Sequence, residues 1–170
     1  MKTKSIIIIV AVVAVVAVFG WVKNTYNGFV GAEEEVSAAW AQVENVYQRR
    51  ADLIPNLVAT VKGYAEHESE TLQAVVEARA NATKVTVDPT NLNAESIEAF
   101  QKAQNGLSSA LGRLIAITEN YPELKANQNF SELQAQLEGT ENRITVERQK
   151  FNEKAMAYNY MGERDKAIDT

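Results

Sequence analysis

The 170-residue sequence contains no cysteine and one histidine, His67. Without cysteine the chain can form no disulfide bond, no thiolate metal site and no lipid-modified cysteine. One histidine cannot supply an H-E-x-x-H zinc site, and it cannot supply the two Glu-x-x-His motifs of a di-metal helical bundle. The sequence therefore predicts no metal site and no cofactor.

Glycine and proline are scarce too, with eight and three residues respectively. No glycine falls in a G-x-G-x-x-G, G-x-x-x-x-G-K-[ST] or G-x-S-x-G motif, so neither a phosphate-binding loop nor a nucleophile elbow is indicated. His67 lies in a polar stretch with no candidate nucleophile beside it, which favours a surface histidine over a catalytic base. We therefore predict no catalytic residue, and a protein that is not an enzyme.

Basic residues are outnumbered, because 17 Lys and Arg stand against 22 Asp and Glu. Three of the lysines, Lys2, Lys4 and Lys23, flank an apolar run near the N-terminus. The rest of the chain therefore has 14 basic and all 22 acidic residues, a net charge of about −8. An acidic surface repels the phosphates of nucleic acid. We expect no nucleic-acid partner.

What the sequence has in abundance is an uncharged apolar run from Ile6 to Val22, with Trp21 near its end. As a helix this run is about 25 Å long, near the short end of what spans a hydrocarbon core of about 30 Å. We predict that residues 1–23 form a membrane anchor, with the Trp21 ring at the headgroup level. A cleaved secretory signal is the alternative, but the run exceeds the usual ~7–15 residues and no A-x-A-like site follows it.

The basic residues around the run predict its orientation. Lys2 and Lys4 precede the run, whereas Lys23 is the one basic residue between the run and Arg49. Lys and Arg stay preferentially on the cytoplasmic side of a membrane. We therefore expect a single-pass protein with its C-terminal domain on the extracytoplasmic side.

Beyond the run, apolar side chains recur at steps of three and four, the period of one helix face. Long segments of this kind predict an all-α fold, in which the N-terminal transmembrane helix continues into an antiparallel bundle of three to four long helices. We place the bundle at residues 24–160 and a short C-terminal tail at residues 161–170. Because no linker rich in Gly, Pro or Ser follows the run, we expect the anchor to continue into the first bundle helix as a stiff post.

Three features predict the helix boundaries. Pro55 either begins a new helix or kinks a continuous one, and we favour a short break or kink between Asp52 and Pro55. The apolar pattern weakens after Ala82, which predicts a loop before a third helix from about Asn93. Asn129, with a glutamate three residues later, resembles a capping box at the start of the last helix.

Polar side chains interrupt two apolar stretches of the sequence. They are Arg49, Arg50 and Asp52, just before Leu53, and Glu141, Asn142 and Arg143 in the last helix. We interpret them as a cluster of inter-helix salt bridges and hydrogen bonds that fixes the register of the bundle. The alternative is a site for an anionic ligand, in a sensor or an enzyme, formed by Arg49, Asp52, His67, Glu141 and Arg143. Convergence of these side chains on an open cleft would favour the ligand site, whereas pairing of the side chains with one another in a closed core would oppose it.

Five separated blocks of the sequence carry a family resemblance. They are Ala39–Val43, Gln48–Val58, Val61–Glu68, Glu119–Phe130 and Gly139–Ile144. In this order they resemble the LemA family of bacterial membrane proteins, and the resemblance extends from about Tyr26 to Tyr160. It implies a membrane helix carrying a helical bundle in the bacterial inner membrane, and it implies no particular reaction, because the family has no established enzymatic activity. Residues 161–170 depart from the family's usual Gly- and Phe-rich tail, so no role of that tail is carried over.

These features predict a membrane-anchored, non-enzymatic helical scaffold or adaptor. The N-terminal helix would hold it in the bilayer, and the bundle surface would contact other membrane or envelope proteins. A homo-oligomer is a second version of this hypothesis. Small residues recur every three positions along the apolar run and offer a face on which two helices can pack; they are Ala11, Ala14, Ala17 and Gly20.

Overall fold

The structure, a computed structural model, describes the backbone of residues 2–168 and the side chains of residues 6–162. Over this range it contains no strand, one turn of 3-10 helix (Glu66–Glu68) and the α-helices α1 (Lys2–Lys62), α2 (Ser69–Lys84), α3 (Ala94–Thr118), α4 (Pro122–Lys125) and α5 (Gln128–Ile168). The predicted all-α fold is confirmed. The side chains of Lys2 and Lys4, on which the predicted orientation depends, lie outside the described residues, as do those of residues 163–170 in the predicted tail.

Residues 37–151 form one compact unit with a shared apolar core. Within it α5 runs antiparallel to α1, because Trp40 of α1 contacts Phe151 whereas Arg50, farther along α1, contacts Glu141. The core draws on all five helices and includes Ile54, Leu57, Val61, Leu72, Val75, Leu107, Leu114, Leu124, Phe130 and Leu137. At about 1.5–3 kcal/mol for each fully buried large apolar side chain, this core is the main stabilising contribution.

Pro55 lies inside α1, so of the two predicted possibilities between Asp52 and Pro55, a short break or a kink, the break is wrong. The helix ends instead at Lys62, just before Gly63. A proline has no backbone N–H, which leaves the carbonyl four residues earlier without its helical donor. Here that carbonyl belongs to Ala51, and the Nε–H of Arg79 in α2 donates to it at 2.7 Å. A side chain of another helix thus satisfies the group that the proline leaves unpaired.

We expect Arg79→Ala to lower the free energy of unfolding by about 1–2 kcal/mol, because the Ala51 carbonyl loses its donor. In a Pro55→Ala background, the restored backbone N–H donates to the same carbonyl, so the cost of Arg79→Ala should fall below about half that value. Urea denaturation of the wild type, both single variants and the double variant in detergent measures both costs. Equal costs in the two backgrounds would contradict the link between Arg79 and Pro55.

The starts of the later helices follow from asparagine caps. The predicted start near Asn93 is confirmed, and the Asn93 side chain accepts a hydrogen bond from the backbone N–H of Ser96 at 2.9 Å. The predicted cap at Asn129 is wrong, because α5 begins at Gln128 and the Asn127 side chain accepts from the N–H of Phe130 at 3.0 Å. The single turn of α4, in which Leu124 is buried, ends two residues before Asn127.

The loop between α2 and α3 turns at Asp88. Its Oδ1 accepts hydrogen bonds from the backbone N–H of Thr90 at 2.8 Å and from the Thr90 hydroxyl at 2.6 Å. These bonds favour the charged carboxylate, and the hydroxyl contributes most. They hold the pKa of Asp88 below its ordinary value of 3.8.

A lowered pKa in the folded state gives a pH dependence of known sign. The contribution of Asp88 to stability is present above the ordinary pKa of 3.8 and is lost as the pH falls through the lower folded value. We expect the NMR shift of the Thr90 amide to titrate with a midpoint below 3.8, and we expect Asp88→Asn to abolish that titration. A midpoint at or above 3.8 would contradict the turn's hydrogen bonding.

Residues 1–36 and 152–170 form the other unit. Lys154 Nζ binds Glu35 Oε2 at 2.7 Å, and the hydrogen bond raises the pKa of Lys154 above its ordinary value. The rings of Phe29 and Tyr158 meet edge to face, with centroids 6.4 Å apart. These two contacts join the C-terminal part of α5 to α1 within this unit.

The apolar run Ile6–Val22 belongs to α1, and its large apolar side chains are 51–70% exposed. This part of α1 is long and apolar enough to cross a membrane. The core helix of a soluble protein can match it in length and composition, but such a helix buries its side chains. The exposure of the run therefore fits the predicted membrane helix.

Candidate functional site

Arg50 is buried inside the bundle, with 1% of its surface exposed. Its Nη1 donates to Glu141 Oε1 at 2.6 Å and to Ser108 Oγ at 2.7 Å. Its Nη2 donates to the side-chain oxygen of Gln104 at 2.7 Å and to the Gln104 backbone carbonyl at 3.2 Å. One guanidinium thus joins α1 to both α3 and α5.

Tyr47 completes what we call the Arg50 cluster, which consists of Tyr47, Arg50, Gln104, Ser108 and Glu141. The buried amide of Gln104 donates to the carbonyl of Ala82 at 3.3 Å, so the cluster also reaches the C-terminal turn of α2. The Tyr47 ring lies 5.1 Å from the guanidinium carbon, within range of a cation–π contact. Arg50 Nε has no hydrogen-bond partner among the described residues. The cluster therefore connects the four long helices.

The phase of α1 explains why Arg50, and not its neighbour, lies inside. The large side chains that are buried along this part of α1 are Val43, Tyr47, Arg50, Ile54, Leu57 and Val61. They recur at steps of three and four, so Arg50 occupies a core position and Arg49 points away from it. The partner Glu141 is half exposed, with 48% of its side-chain surface accessible. The arginine of this ion pair is therefore buried, whereas the glutamate is accessible to solvent.

The structure brings together two of the residues that the sequence singled out, Arg50 and Glu141. The other four are exposed, namely Arg49, Asp52, Asn142 and Arg143. Asp52 accepts a hydrogen bond from Gln48, one turn earlier on the same helix, at 2.8 Å. His67 is exposed on the 3-10 turn. The groove that Glu141 lines includes Asn142 but none of Arg49, Asp52, His67 and Arg143. The described residues contain no group of three His, Cys, Asp or Glu suited to a metal ion.

Gln104 and Ser108 are the cluster members that the sequence did not single out. A signal for Gln104 exists, because it stands at an apolar position of the α3 pattern, between Phe100 and Leu107. A polar residue at a core position indicates a buried hydrogen-bond partner. Ser108 carries no such signal, since it lies on the exposed side of that pattern.

An aromatic cluster adjoins the Arg50 cluster. The Trp40 ring lies edge to face against Phe100 and Phe151, with centroids 5.3 and 5.1 Å apart. Tyr47 meets Phe100 in the same way at 5.1 Å. Trp40 is buried, yet its Nε1 has no hydrogen-bond partner among the described residues. The ring packing, and not a hydrogen bond, therefore accounts for the position of Trp40.

A groove of about 610 Å³ lies between α3 and α5, and we call it the α3–α5 groove. Its walls include Leu111, Gly112 and Ile115 of α3 and Leu137, Glu138 and Glu141 of α5. Glu141 is thus shared between the groove and the Arg50 cluster. The lining contains no lysine, arginine or histidine, so it offers no cation to an anionic ligand.

The Arg50 cluster lies wholly inside a region of known family membership. Residues 39–164 match the LemA family, and this span is well over half of the chain. The chain belongs to the LemA family. The resemblance seen in the sequence blocks is confirmed.

Two magnetosome proteins are among the relatives of this LemA-family chain. It is 28% identical over 167 residues to magnetosome protein MamQ of Magnetospirillum gryphiswaldense, a match that covers 88% of this chain and 61% of MamQ. It is 26% identical over 170 residues to magnetosome protein MamQ 2 of Paramagnetospirillum magneticum, covering 90% and 62%. It is 24% identical over 133 residues to protein LemA of Metamycoplasma hominis, covering 78% and 57%. The chain thus spans about three fifths of the length of these relatives. The relatives and the apolar helix of this chain fit a bacterial membrane protein.

Proposed function

We propose that this LemA-family protein is a non-enzymatic scaffold, anchored in the membrane by α1, which presents its bundle surface to other membrane or envelope proteins. The observation that supports the proposal is that the hydrogen bonds of Arg50 join helices of the bundle to one another. Four donor contacts of this buried cation end on Ser108, Gln104 and Glu141, and the same contacts join helices to one another. The Arg50 cluster thus holds the helices of the bundle together, and we assign function to the outer surface.

We further propose that the apolar run crosses the bacterial inner membrane once and leaves the bundle on the extracytoplasmic side. The excess of lysine before the run supports this orientation. A dual reporter of phosphatase and β-galactosidase activity fused after Thr170 tests it. Phosphatase activity is the expected result, because that enzyme is active only outside the cytoplasm, whereas β-galactosidase activity would overturn the orientation.

Proximity labelling in the native host tests the scaffold function. We would compare three forms of the full chain: unchanged, with residues 6–22 replaced by an unrelated transmembrane helix, and with residues 6–22 removed. A scaffold that acts at the membrane should label the same membrane or envelope proteins in the first two forms and lose them in the third. Retention of all partners without any membrane helix would contradict a functional anchor.

Self-association is part of the proposal. The small residues Ala11, Ala14, Ala17 and Gly20 support close packing of two apolar helices, and a built Cβ at Gly20 meets nothing within 4 Å. Mass measurement in mild detergent should detect a dimer, which Gly20→Leu should weaken. A strictly monomeric wild type would rule this part out.

A further inference from the structure

The α3–α5 groove has the shape of a binding site for a helix. On α3 its lining extends from Ser108 to Ile115, and on α5 from Gln134 to Asn142. At 1.5 Å per residue, each wall is about 10–12 Å long, which matches about two turns of a helix laid along it. The wall residues already satisfy their backbone hydrogen bonds within α3 and α5. No strand edge is offered, so an extended peptide could not gain main-chain pairing here.

The apolar part of the groove is formed by Leu111, Ile115 and Leu137, with Gly112 between the first two. A Cβ built on Gly112 meets nothing within 4 Å, so no part of the described chain requires a glycine there. A glycine inside a helix costs about 1 kcal/mol relative to alanine. Its lack of a side chain keeps the groove deep and allows another backbone to approach α3 closely.

The charged side chains that line the groove are negative. Glu138 and Glu141 are its charged residues. The hydrogen bonds that these two carboxylates accept, from Gln134 at 3.2 Å and from Arg50 at 2.6 Å, each end on Oε1. A partner that carried Lys or Arg beside its apolar face would complement both the leucines and the carboxylates.

We propose that the α3–α5 groove binds an amphipathic helix of a partner protein, whose apolar side chains contact Leu111, Ile115 and Leu137 and whose Lys or Arg side chains pair with Glu138 and Glu141. This proposal rests on the scaffold function and names the surface through which it acts. Helix-in-groove recognition uses apolar anchors at positions i, i+3 or i+4, and i+7, and the length of the groove accommodates that spacing.

The test uses the full chain in nanodiscs of zwitterionic lipid and two fluorescent peptides of about 14 residues with the same apolar face. One peptide carries lysines on its flanks and the other carries glutamates. Fluorescence anisotropy measures binding, and empty nanodiscs measure what the lipid binds. We expect the lysine peptide to bind the protein at least about tenfold more tightly than the glutamate peptide.

Two glycines of α3 provide a matched pair of variants. Gly112→Leu fills the groove, whereas Gly106→Leu adds the same side chain to the same helix outside the groove lining. A built Cβ meets nothing within 4 Å at either position, so both variants should fold, as thermal unfolding would verify. We expect Gly112→Leu to weaken binding of the lysine peptide at least about tenfold and Gly106→Leu to change it less than about twofold.

Glu138→Lys gives an independent readout that leaves the apolar wall in place. This variant should weaken binding of the lysine peptide and strengthen binding of the glutamate peptide, because it reverses one charge of the groove. Three results would overturn the proposal: no binding above empty nanodiscs, equal binding of both peptides, or equal effects of Gly112→Leu and Gly106→Leu. None of these depends on the anchor, so the scaffold proposal and the groove proposal can fail separately.

Discussion

Replacing Glu141 with alanine is expected to lower the free energy of unfolding by about 3 kcal/mol. The variant leaves the guanidinium of Arg50 buried without its carboxylate, and an uncompensated buried charge is strongly destabilising. We place the effect at the lower end of about 3–5 kcal/mol because Glu141 is 48% exposed, so water can approach the vacated side. Urea denaturation of the full chain in detergent, followed by circular dichroism, measures the change.

Two variants control this prediction. Glu138→Ala removes a carboxylate one turn earlier on α5 that has no ion pair among the described residues, and it should change stability by less than about 0.5 kcal/mol. In an Arg50→Met background, Glu141→Ala should also cost less than about 0.5 kcal/mol, since the buried charge is gone. A large loss in that background would show that Glu141 stabilises the bundle by some other contact.

Replacing Trp40 with alanine is expected to cost about 3–5 kcal/mol. The indole is buried between Phe100 and Phe151, so its removal opens a cavity and abolishes two edge-to-face contacts. For a chain of this length, such a loss should lower the thermal midpoint by roughly 10 °C or more. Thermal unfolding in detergent, monitored by circular dichroism, measures it.

Trp40→Phe is the matched control. It retains an aromatic ring, and it loses no hydrogen bond, because Trp40 Nε1 has no partner among the described residues. Its cost should stay below about 2 kcal/mol. If Trp40→Phe were as destabilising as Trp40→Ala, the indole nitrogen would have to make a contact that the structure does not contain.

The sequence predicts the helices well because their signals are local. The apolar period runs through α1, α3 and α5, and the start near Asn93 follows from a cap within one turn. The predicted helix break at Pro55 is wrong for a physical reason. Proline usually interrupts a helix. Here α1 continues, and the carbonyl of Ala51 receives its donor from Arg79, which lies 28 residues after Ala51 in the chain. No local pattern reveals a donor that comes from another helix.

The sequence predicts which face of α1 carries Arg50, but it does not predict which residue of α5 lies opposite Arg50. The spacing of Tyr47, Arg50 and Ile54 is sufficient to assign Arg50, and not Arg49, to the core face of α1. The choice of Glu141 as its partner depends on how far α5 is shifted along α1. That shift is set by the packing of the entire core and by the position at which Asn127 starts α5. Periodicity along one helix carries no information about it.

In the proposed function, the Arg50 cluster holds the helices together and partner proteins bind the bundle surface. The most direct test is the double variant Arg50→Met with Gln104→Leu, which replaces two buried polar side chains by apolar ones of similar size. Replacing both partners of a buried hydrogen bond by apolar groups of the same shape can be nearly neutral. The carboxylate of Glu141 remains, but it is 48% exposed and water can solvate it. The variant would be checked for folding by thermal unfolding, and its partners would be identified by proximity labelling in the native host. We predict a folded protein that labels the same partners as the wild type, whereas a folded variant that had lost those partners would contradict the claim.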